Sequence, residues 1–224
     1  MTQACEITSS AQTPDFAIRS ESANQATHAA GLCLSLIGGG VLMAAALQSS
    51  DPYRIAGCAV YALTLTALYA ASTLSHSFSD TDRRRFYRML DQVCIFLLVV
   101  GTYTPFGLVH ARDGGWIAVL IGMWLYAFVG IGLRVRRPDE TLRPLFFLLM
   151  GWIPAPILFR AYEVSHIGGL SMILAGGLAY SGGVWFLLND HKHPYFHAVW
   201  HVCTIVGSAM HFLFVLKYVA PLAA

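Results

Sequence analysis

Charged side chains are scarce in this chain. Only 12% of its 224 residues are Asp, Glu, Lys or Arg, whereas a soluble globular domain carries about 25%. The net charge is only +2, and the arginines cluster by segment rather than along one face, so the charge does not predict a nucleic-acid partner. The polar residues 1–25 lack the basic start, short apolar stretch and small-residue cleavage site of a secretory signal. We therefore expect an N-terminus that is not exported.

Paired cysteines are also missing. None of the five cysteines forms a C-x-x-C motif, and all but Cys5 lie inside apolar runs, where a thiol packs as a small hydrophobic group. We assign them no chemistry. The chain also has no internal repeat and no low-complexity segment.

Long apolar runs are what the sequence does contain, since 56% of its residues are hydrophobic. Runs of roughly 17–25 residues are what a membrane-spanning helix needs. Seven runs bounded by charged or turn residues fall at 29–48, 55–75, 92–110, 116–133, 144–161, 167–188 and 197–219. They predict an all-α integral membrane bundle of seven transmembrane helices over residues 26–220, preceded by a polar N-terminal segment, 1–25. Pro154 and Pro156 predict a kink in the fifth run.

The distribution of Lys and Arg predicts the orientation of this bundle, because short loops rich in these residues stay cytoplasmic. If segment 1–25 is cytoplasmic, ten of the 14 basic residues are inside: Arg19, Arg83, Arg84, Arg85, Arg88, Arg134, Arg136, Arg137, Arg143 and Lys192. The four outside are Arg54, Arg112, Arg160 and Lys217. We therefore predict a multi-pass protein of the inner (plasma) membrane with a cytoplasmic N-terminus and an external C-terminus.

Three histidines lie at the cytoplasmic ends of the predicted spans. His197 and His201 are spaced i, i+4, so their rings project from one helix face about one turn apart. This pair alone is a weak signal, but His76 ends another span at the same depth. Ionisable groups at membrane depth are by default functional candidates. Three imidazoles with an open position are typical of catalytic zinc, so we predict a zinc site on His76, His197 and His201, with other metals that prefer imidazole as the alternative.

Asp91 and Ser72 accompany these histidines. Asp91 is a possible fourth ligand, an acceptor that orients an imidazole, or the base that holds a metal-bound water, and we favour the base. Ser72, one turn before His76, is able to donate a hydrogen bond to that water or to an oxyanion. The alternative is a serine satisfied by the carbonyl four residues back.

The remaining histidines have simpler interpretations. His110 and His166 fall at the opposite ends of the spans and are predicted to be interfacial, while His191 and His193 are predicted to be surface residues. His211 is nearly three turns from His201, too far to share a metal, and is predicted to make an interhelical hydrogen bond.

Four segments together resemble a known family. They are Ser72-Thr73-Leu74-Ser75-His76, Asp91 leading into Gly101-Thr102-Tyr103-Thr104-Pro105-Phe106, His197-Ala198-Val199-Trp200-His201, and the E-x-x-N-x-x-x-H start from Glu21 to His28. The chain resembles the hemolysin III family, a bacterial branch related to the progestin and adipoQ receptors, which include the adiponectin receptors. The resemblance spans residues 21–211 and is specific only as a set of motifs.

The resemblance implies seven helices with the N-terminus inside, and zinc held by His76, His197 and His201 with Asp91 and Ser72 nearby. It implies no role for Glu21 or His28. The wider superfamily includes alkaline ceramidases, which hydrolyse lipid amides.

Two functions follow from these residues. The first is a metal-dependent hydrolase that acts on a membrane lipid amide or ester, with Asp91 and Ser72 as catalytic residues. The second is a receptor, channel-like or cytolysis-associated membrane protein in which zinc is structural. The two differ at Asp91 and Ser72, which a structural metal does not need. Neither the lipid nor the oligomeric state follows from the sequence.

Overall fold

The structure, a computed structural model, describes residues 14–137 and 143–221. These residues are helical throughout and contain no β-strand. The α-helices are α1 (Pro14–Ala46), α2 (Pro52–Ser75), α3 (Thr81–His110), α4 (Ile117–Arg136), α5 (Pro144–Trp152), α6 (Leu158–Leu188) and α7 (Phe196–Tyr218). Short 3-10 helices cover Ala155–Ile157 and Asp190–Lys192. The all-α prediction is confirmed.

Aspartates cap two of the helices and set where they begin. Asp51 accepts a hydrogen bond from the Tyr53 amide (3.0 Å) ahead of α2, and Asp80 accepts one from the Arg83 amide (2.9 Å) ahead of α3. Each side chain satisfies one of the amide groups that a helix start leaves unpaired. Because Asp80 starts α3 at Thr81, the arginine-rich segment before Asp91 is helical, although the apolar run predicted a start only at residue 92.

Six helical stretches among the described residues are long and apolar enough to cross a membrane. The predicted fifth and sixth runs are joined in one of them, Pro144–Leu188, so length and composition count them together. This stretch is interrupted twice. Helix α5 ends before Pro154, where the sequence predicts a kink, and His166 leaves helical geometry with φ 50° and ψ −156°. A positive φ is uncommon for a residue with a Cβ atom, so His166 marks a real interruption of the helix.

The outer surface of the bundle is apolar. Large side chains such as Ile37, Leu63 and Phe159 are each about 70% exposed. Polar side chains including His28, Ser72 and His201 are at most 3% exposed. This distribution is the reverse of a soluble protein and suits a bundle surrounded by lipid, in which exposed polar groups are expensive. The structure is that of a multi-pass membrane protein.

Close backbone approach brings the central helices together. A Cβ atom added to Gly57 of α2 would lie 2.7 Å from the Cα of Pro105 in α3. Gly183 of α6 similarly faces Cys203 and Trp200 of α7. Small residues at such crossings allow helices to pack where lipid provides no hydrophobic driving force between them.

Two buried polar contacts tie α7 to its neighbours. Arg54, at the start of α2, donates to the carbonyl oxygens of Val219 (2.8 Å) and Pro221, and so satisfies carbonyls at the end of α7. His211 contacts the Ile173 carbonyl of α6 through Nε2 (3.1 Å), which confirms its predicted interhelical hydrogen bond.

Candidate metal centre

The three histidines singled out by sequence meet at one end of the bundle. His76 is the C-terminal cap of α2, and His197 and His201 occupy the first turns of α7. One ring nitrogen from each lies within 4.8 Å of the others. The ring centroid of His76 lies 5.2 Å from the ring centroids of both His197 and His201. The centroids of His197 and His201 are 4.6 Å apart. These three histidines lie close enough together to bind one metal ion.

Each of these rings has its Nδ1 atom engaged by oxygen. His76 Nδ1 lies 2.6 Å from Glu21 Oε2, and His197 Nδ1 lies 3.1 Å from Asp190 Oδ2. His201 Nδ1 lies 3.2 Å from the Asn24 carbonyl oxygen. Carboxylates and carbonyls only accept hydrogen bonds, so a neutral ring in each position carries its proton on Nδ1. The Nε2 lone pair of all three rings is therefore available to a ligand.

The environment keeps His76 neutral. Burial, together with the neighbouring His197 and Arg88, lowers the pKa of His76 to about 3. A ring with such a pKa carries no proton on its second nitrogen at neutral pH. The hydrogen bond from His197 is the main cause that holds the pKa of Asp190 below its ordinary value. At neutral pH Asp190 is thus an anionic acceptor for the hydrogen bond from His197.

Asp91 and Ser72 are both next to the histidine cluster. Asp91, in α3, lies beside the Ser72 side chain of α2 and close enough to His197 of α7 to interact with it electrostatically. The Ser72 hydroxyl is 1% exposed but has no partner in hydrogen-bonding geometry among the described residues. Its neighbours Thr73 and Ser75 instead donate to carbonyls in their own helix, at 2.7 and 2.8 Å. Ser72 is therefore not satisfied by the carbonyl four residues back, and its hydroxyl remains available.

An apolar cavity of about 200 Å³, lined mainly by α3, α5, α6 and α7, comes within about one helical turn of this cluster. Its walls include Leu68, Ile95 and Thr204, each about one helical turn from Ser72, Asp91 and His201 respectively. From there the cavity extends past Tyr180 to Pro154 and Ala155, at the break after α5.

Four residues of α1 at the site were assigned no role from sequence. Glu21, Asn24 and Thr27 contact His76 or His201, and His28 stacks on His201 with ring centroids 3.5 Å apart. The signal that was present is spacing, since positions 21, 24 and 28 share one helix face. Their partners are more than 50 residues away, so spacing alone does not identify the contact.

The other histidines are elsewhere. His191 and His193 are exposed, as predicted. His110 is half-buried and contacts the Tyr218 carbonyl through Nε2 (3.1 Å), at the far end of α7. His166 is exposed at the break in α6. The cysteines within the described residues are free thiols, and Cys5 lies outside those residues.

Comparison with known proteins gives consistent results. A family model described as "Haemolysin-III related" matches residues 16–212. The chain is 35% identical over 210 residues to Hemolysin-3 of Bacillus cereus, covering 92% of this chain and 95% of that protein. It is 30% identical over 205 residues to a Hemolysin-3 homolog of Bacillus subtilis, covering 91% and 96%. A more distant relative is the human "Monocyte to macrophage differentiation factor", 25% identical over 205 residues, covering 88% and 83%.

Proposed function

The chain belongs to the haemolysin-III-related family, and from that premise we propose that it is a seven-span, zinc-dependent membrane hydrolase acting on a lipid amide or ester. The observation that carries the proposal is the proximity of three features, since the cavity comes within about one helical turn of the histidine cluster. The features are three histidines with free Nε2 atoms, an acidic residue beside a buried unpartnered serine, and an apolar cavity.

Seven spans require that Pro144–Leu188 crosses the membrane twice. A straight helix of 45 residues would be about 68 Å long, more than twice the roughly 30 Å hydrocarbon core of a bilayer. The break at His166 is the natural turning point between the two crossings. With seven spans and ten of 14 basic residues on the N-terminal side, segment 1–25 is cytoplasmic and the C-terminus is external. The histidine cluster then lies near the cytoplasmic face.

The donor set suits zinc. Three imidazole nitrogens, with no cysteine in the cluster among the described residues, are typical of catalytic rather than structural zinc sites, which usually have four protein ligands. His76, His197 and His201 would hold the ion through Nε2, because their Nδ1 atoms are engaged by Glu21, Asp190 and the Asn24 carbonyl. When bound, zinc would lower the pKa of a water molecule to about 7 and polarise a substrate carbonyl.

Asp91 and Ser72 complete the chemistry. Asp91 accepts the proton of the attacking water and returns it to the leaving nitrogen or oxygen as the C–N or C–O bond breaks, a role supported by its place beside Ser72 and near His197. Ser72 donates a hydrogen bond to the carbonyl oxygen of the substrate as negative charge develops there, since its hydroxyl has no other partner among the described residues. A carboxyl group and a hydroxyl that serve only packing would be expected to be satisfied locally, as Ser75 is.

The cavity supports a lipid substrate. Its walls are almost entirely apolar and begin about one helical turn from the histidine cluster, so one end of an acyl chain placed there would lie near Ser72. Pro154 and Ala155 line the same cavity at the point where the α-helix is interrupted after α5. We infer that a lipid enters sideways from the bilayer at this break.

Turnover of a panel of lipid amides and esters by the purified, zinc-replete chain in detergent tests this function. Ser72→Ala is expected to lower turnover by about 10²- to 10³-fold, the usual effect of removing one oxyanion donor. Ser75→Ala is the matched control, because Ser75 is equally buried but donates to a carbonyl of its own helix. Absence of turnover for every lipid, or equal loss in both variants, would contradict the proposal.

A second function is a receptor, channel-like or cytolysis-associated protein with structural zinc. It is favoured by the way the cluster joins the ends of α1, α2 and α7, and by the name Hemolysin-3 carried by a relative. In that case loss of zinc would lower the stability of the bundle, while Ser72→Ala and Asp91→Ala would leave its function unchanged.

A further inference from the structure

Helix α1 places one face against the histidine cluster. Glu21, Asn24 and His28 follow the i, i+3, i+7 spacing of a single helix face, with Thr27 beside them. Asn24 and His28 are at most 5% exposed, although most of α1 faces outward. Neither the predicted catalytic residues nor the predicted metal ligands lie on this helix.

Glu21 fixes the ring of His76. Its Oε2 accepts from His76 Nδ1 at 2.6 Å, which holds the proton on Nδ1 and leaves Nε2 free. Its other oxygen pairs with Arg84 of α3, and Arg88 of the same helix lies 3.8 Å away. The carboxylate is therefore anchored on one side while it orients an imidazole on the other.

Thr27 and Asn24 fix the ring of His201. The Thr27 hydroxyl donates its single proton to the carbonyl oxygens of Ala23 and Asn24, both at 2.9 Å. Its oxygen, 3.1 Å from His201 Nδ1, can then only accept from that nitrogen. The Asn24 carbonyl accepts from the same atom at 3.2 Å. Both contacts again place the proton on Nδ1 and leave Nε2 free.

His28 restrains the plane of the same ring. It stacks on His201 at 3.5 Å with an interplanar angle of 23°, and its own edge meets Tyr69 of α2 at 5.2 Å. Neither nitrogen of His28 has a hydrogen-bond partner among the described residues. Its contact with His201 is through the ring face, which restrains orientation without needing a hydrogen bond.

We propose that α1 is the positioning element of the metal site, with Glu21, Thr27 and His28 holding His76 and His201 in the tautomer and orientation that bind the ion. His197 has its own partner in Asp190, seven residues earlier, so α1 positions two of the three ligands. This inference rests on the proposed function, because it requires that the three histidines bind metal. It gives Glu21 and His28 the role that their sequence motif leaves open.

Zinc affinity of the purified full chain in detergent, measured by competition with a chromogenic chelator, tests the inference. Glu21→Gln is expected to weaken zinc binding by about 10- to 100-fold, the usual effect of removing a partner that orients a ligand. Glu163→Gln is the matched control, since Glu163 is an exposed glutamate paired with Arg160 at a distance from the site. The control should bind zinc as the wild type does.

Two further variants keep the test decisive if Glu21→Gln fails to fold. Thr27→Val has nearly the same shape and removes one of two acceptors at His201, so it should weaken zinc binding less than Glu21→Gln. His28→Phe preserves the stacked ring and should retain near wild-type affinity, whereas His28→Ala should lose affinity. With Co²⁺ as the probe, Glu21→Gln and Thr27→Val should also shift the visible absorption bands of the bound ion, which a merely structural defect does not do.

The possible outcomes separate the two proposals. Wild-type affinity and unchanged cobalt bands in both Glu21→Gln and Thr27→Val would overturn the role of α1 while leaving the metal site intact. A loss in His28→Phe as large as in His201→Ala would make His28 a ligand and also overturn it. Failure of the wild type to bind zinc, or unchanged binding in His76→Ala and His201→Ala, would instead overturn the proposed function itself.

Discussion

Glu21 and His76 are 55 positions apart in the chain, yet their side chains meet at 2.6 Å where α1 passes the end of α2. The contact joins a carboxylate to the Nδ1 atom of a half-buried imidazole whose pKa burial lowers to about 3. A neutral ring with its proton held on Nδ1 presents Nε2 to a metal. The same arrangement recurs at His197 with Asp190 and at His201 with the Asn24 carbonyl.

Metal content is expected to depend on the three histidines. The purified wild type should contain about one zinc ion per chain, and His76→Ala, His197→Ala and His201→Ala should each lose it, because three ligands hold the ion. Elemental analysis by mass spectrometry measures this directly. His191→Ala is the control, since His191 is exposed in the loop before α7. Zinc-free wild type after metal-replete purification would contradict the site.

Asp91→Asn is expected to separate binding from chemistry. The amide is nearly the same size as the carboxyl group but is not a proton acceptor, so turnover should fall by about 10²- to 10⁴-fold while zinc content stays near one per chain. Kinetics and elemental analysis on the same preparation check both quantities. Loss of zinc in this variant would make Asp91 a fourth ligand, the alternative that its position in the sequence leaves open.

Filling the cavity should change chain-length preference. Gly151 of α5 lines the cavity, and no side-chain or non-local atom lies within 4 Å of a Cβ added there. Gly151→Leu is therefore expected to raise KM for long-chain substrates more than for short-chain ones. Gly122→Leu is the matched control, because Gly122 of α4 has the same open surroundings but does not line the cavity. Equal effects in both variants would argue against acyl binding in this cavity.

Packing of α2 on α3 should be sensitive to a single methyl group. Gly57→Ala places a Cβ atom 2.7 Å from the backbone of Pro105, which has to shift, so we expect a loss of about 1–3 kcal/mol in the free energy of unfolding. Gly40→Ala in α1 meets nothing within 4 Å and should be neutral or stabilising by up to about 1 kcal/mol. Thermal unfolding in detergent compares the two variants.

Orientation is testable with a fusion. A reporter enzyme that is active only outside the cytoplasm should be active when joined to the C-terminus, because the seven spans that we propose would place that end outside. The same reporter joined within the Lys192 loop, assigned to the inside by its charge, should be inactive. Activity at the internal position alone would reverse the proposed topology.

The sequence by itself predicted the helical fold because each span has to bury its backbone polar groups within itself, which makes a long apolar run sufficient evidence. It also identified the three histidines, since the i, i+4 spacing and the position of each histidine at the end of an apolar run can be seen in the sequence. It also separated the runs 144–161 and 167–188, and the helix break at His166 lies between them, although length and composition join both in the stretch Pro144–Leu188.

Contacts between helices were decided only by tertiary structure. Spacing placed Glu21, Asn24 and His28 on one face of α1, but which ring each of them meets depends on how α1 packs on α2 and α7. The same is true of Ser72, whose hydroxyl was equally consistent with a local carbonyl until the structure left it without a partner. Composition and periodicity show which residues share one face of a helix, whereas the contacts at a site depend on how several helices pack together.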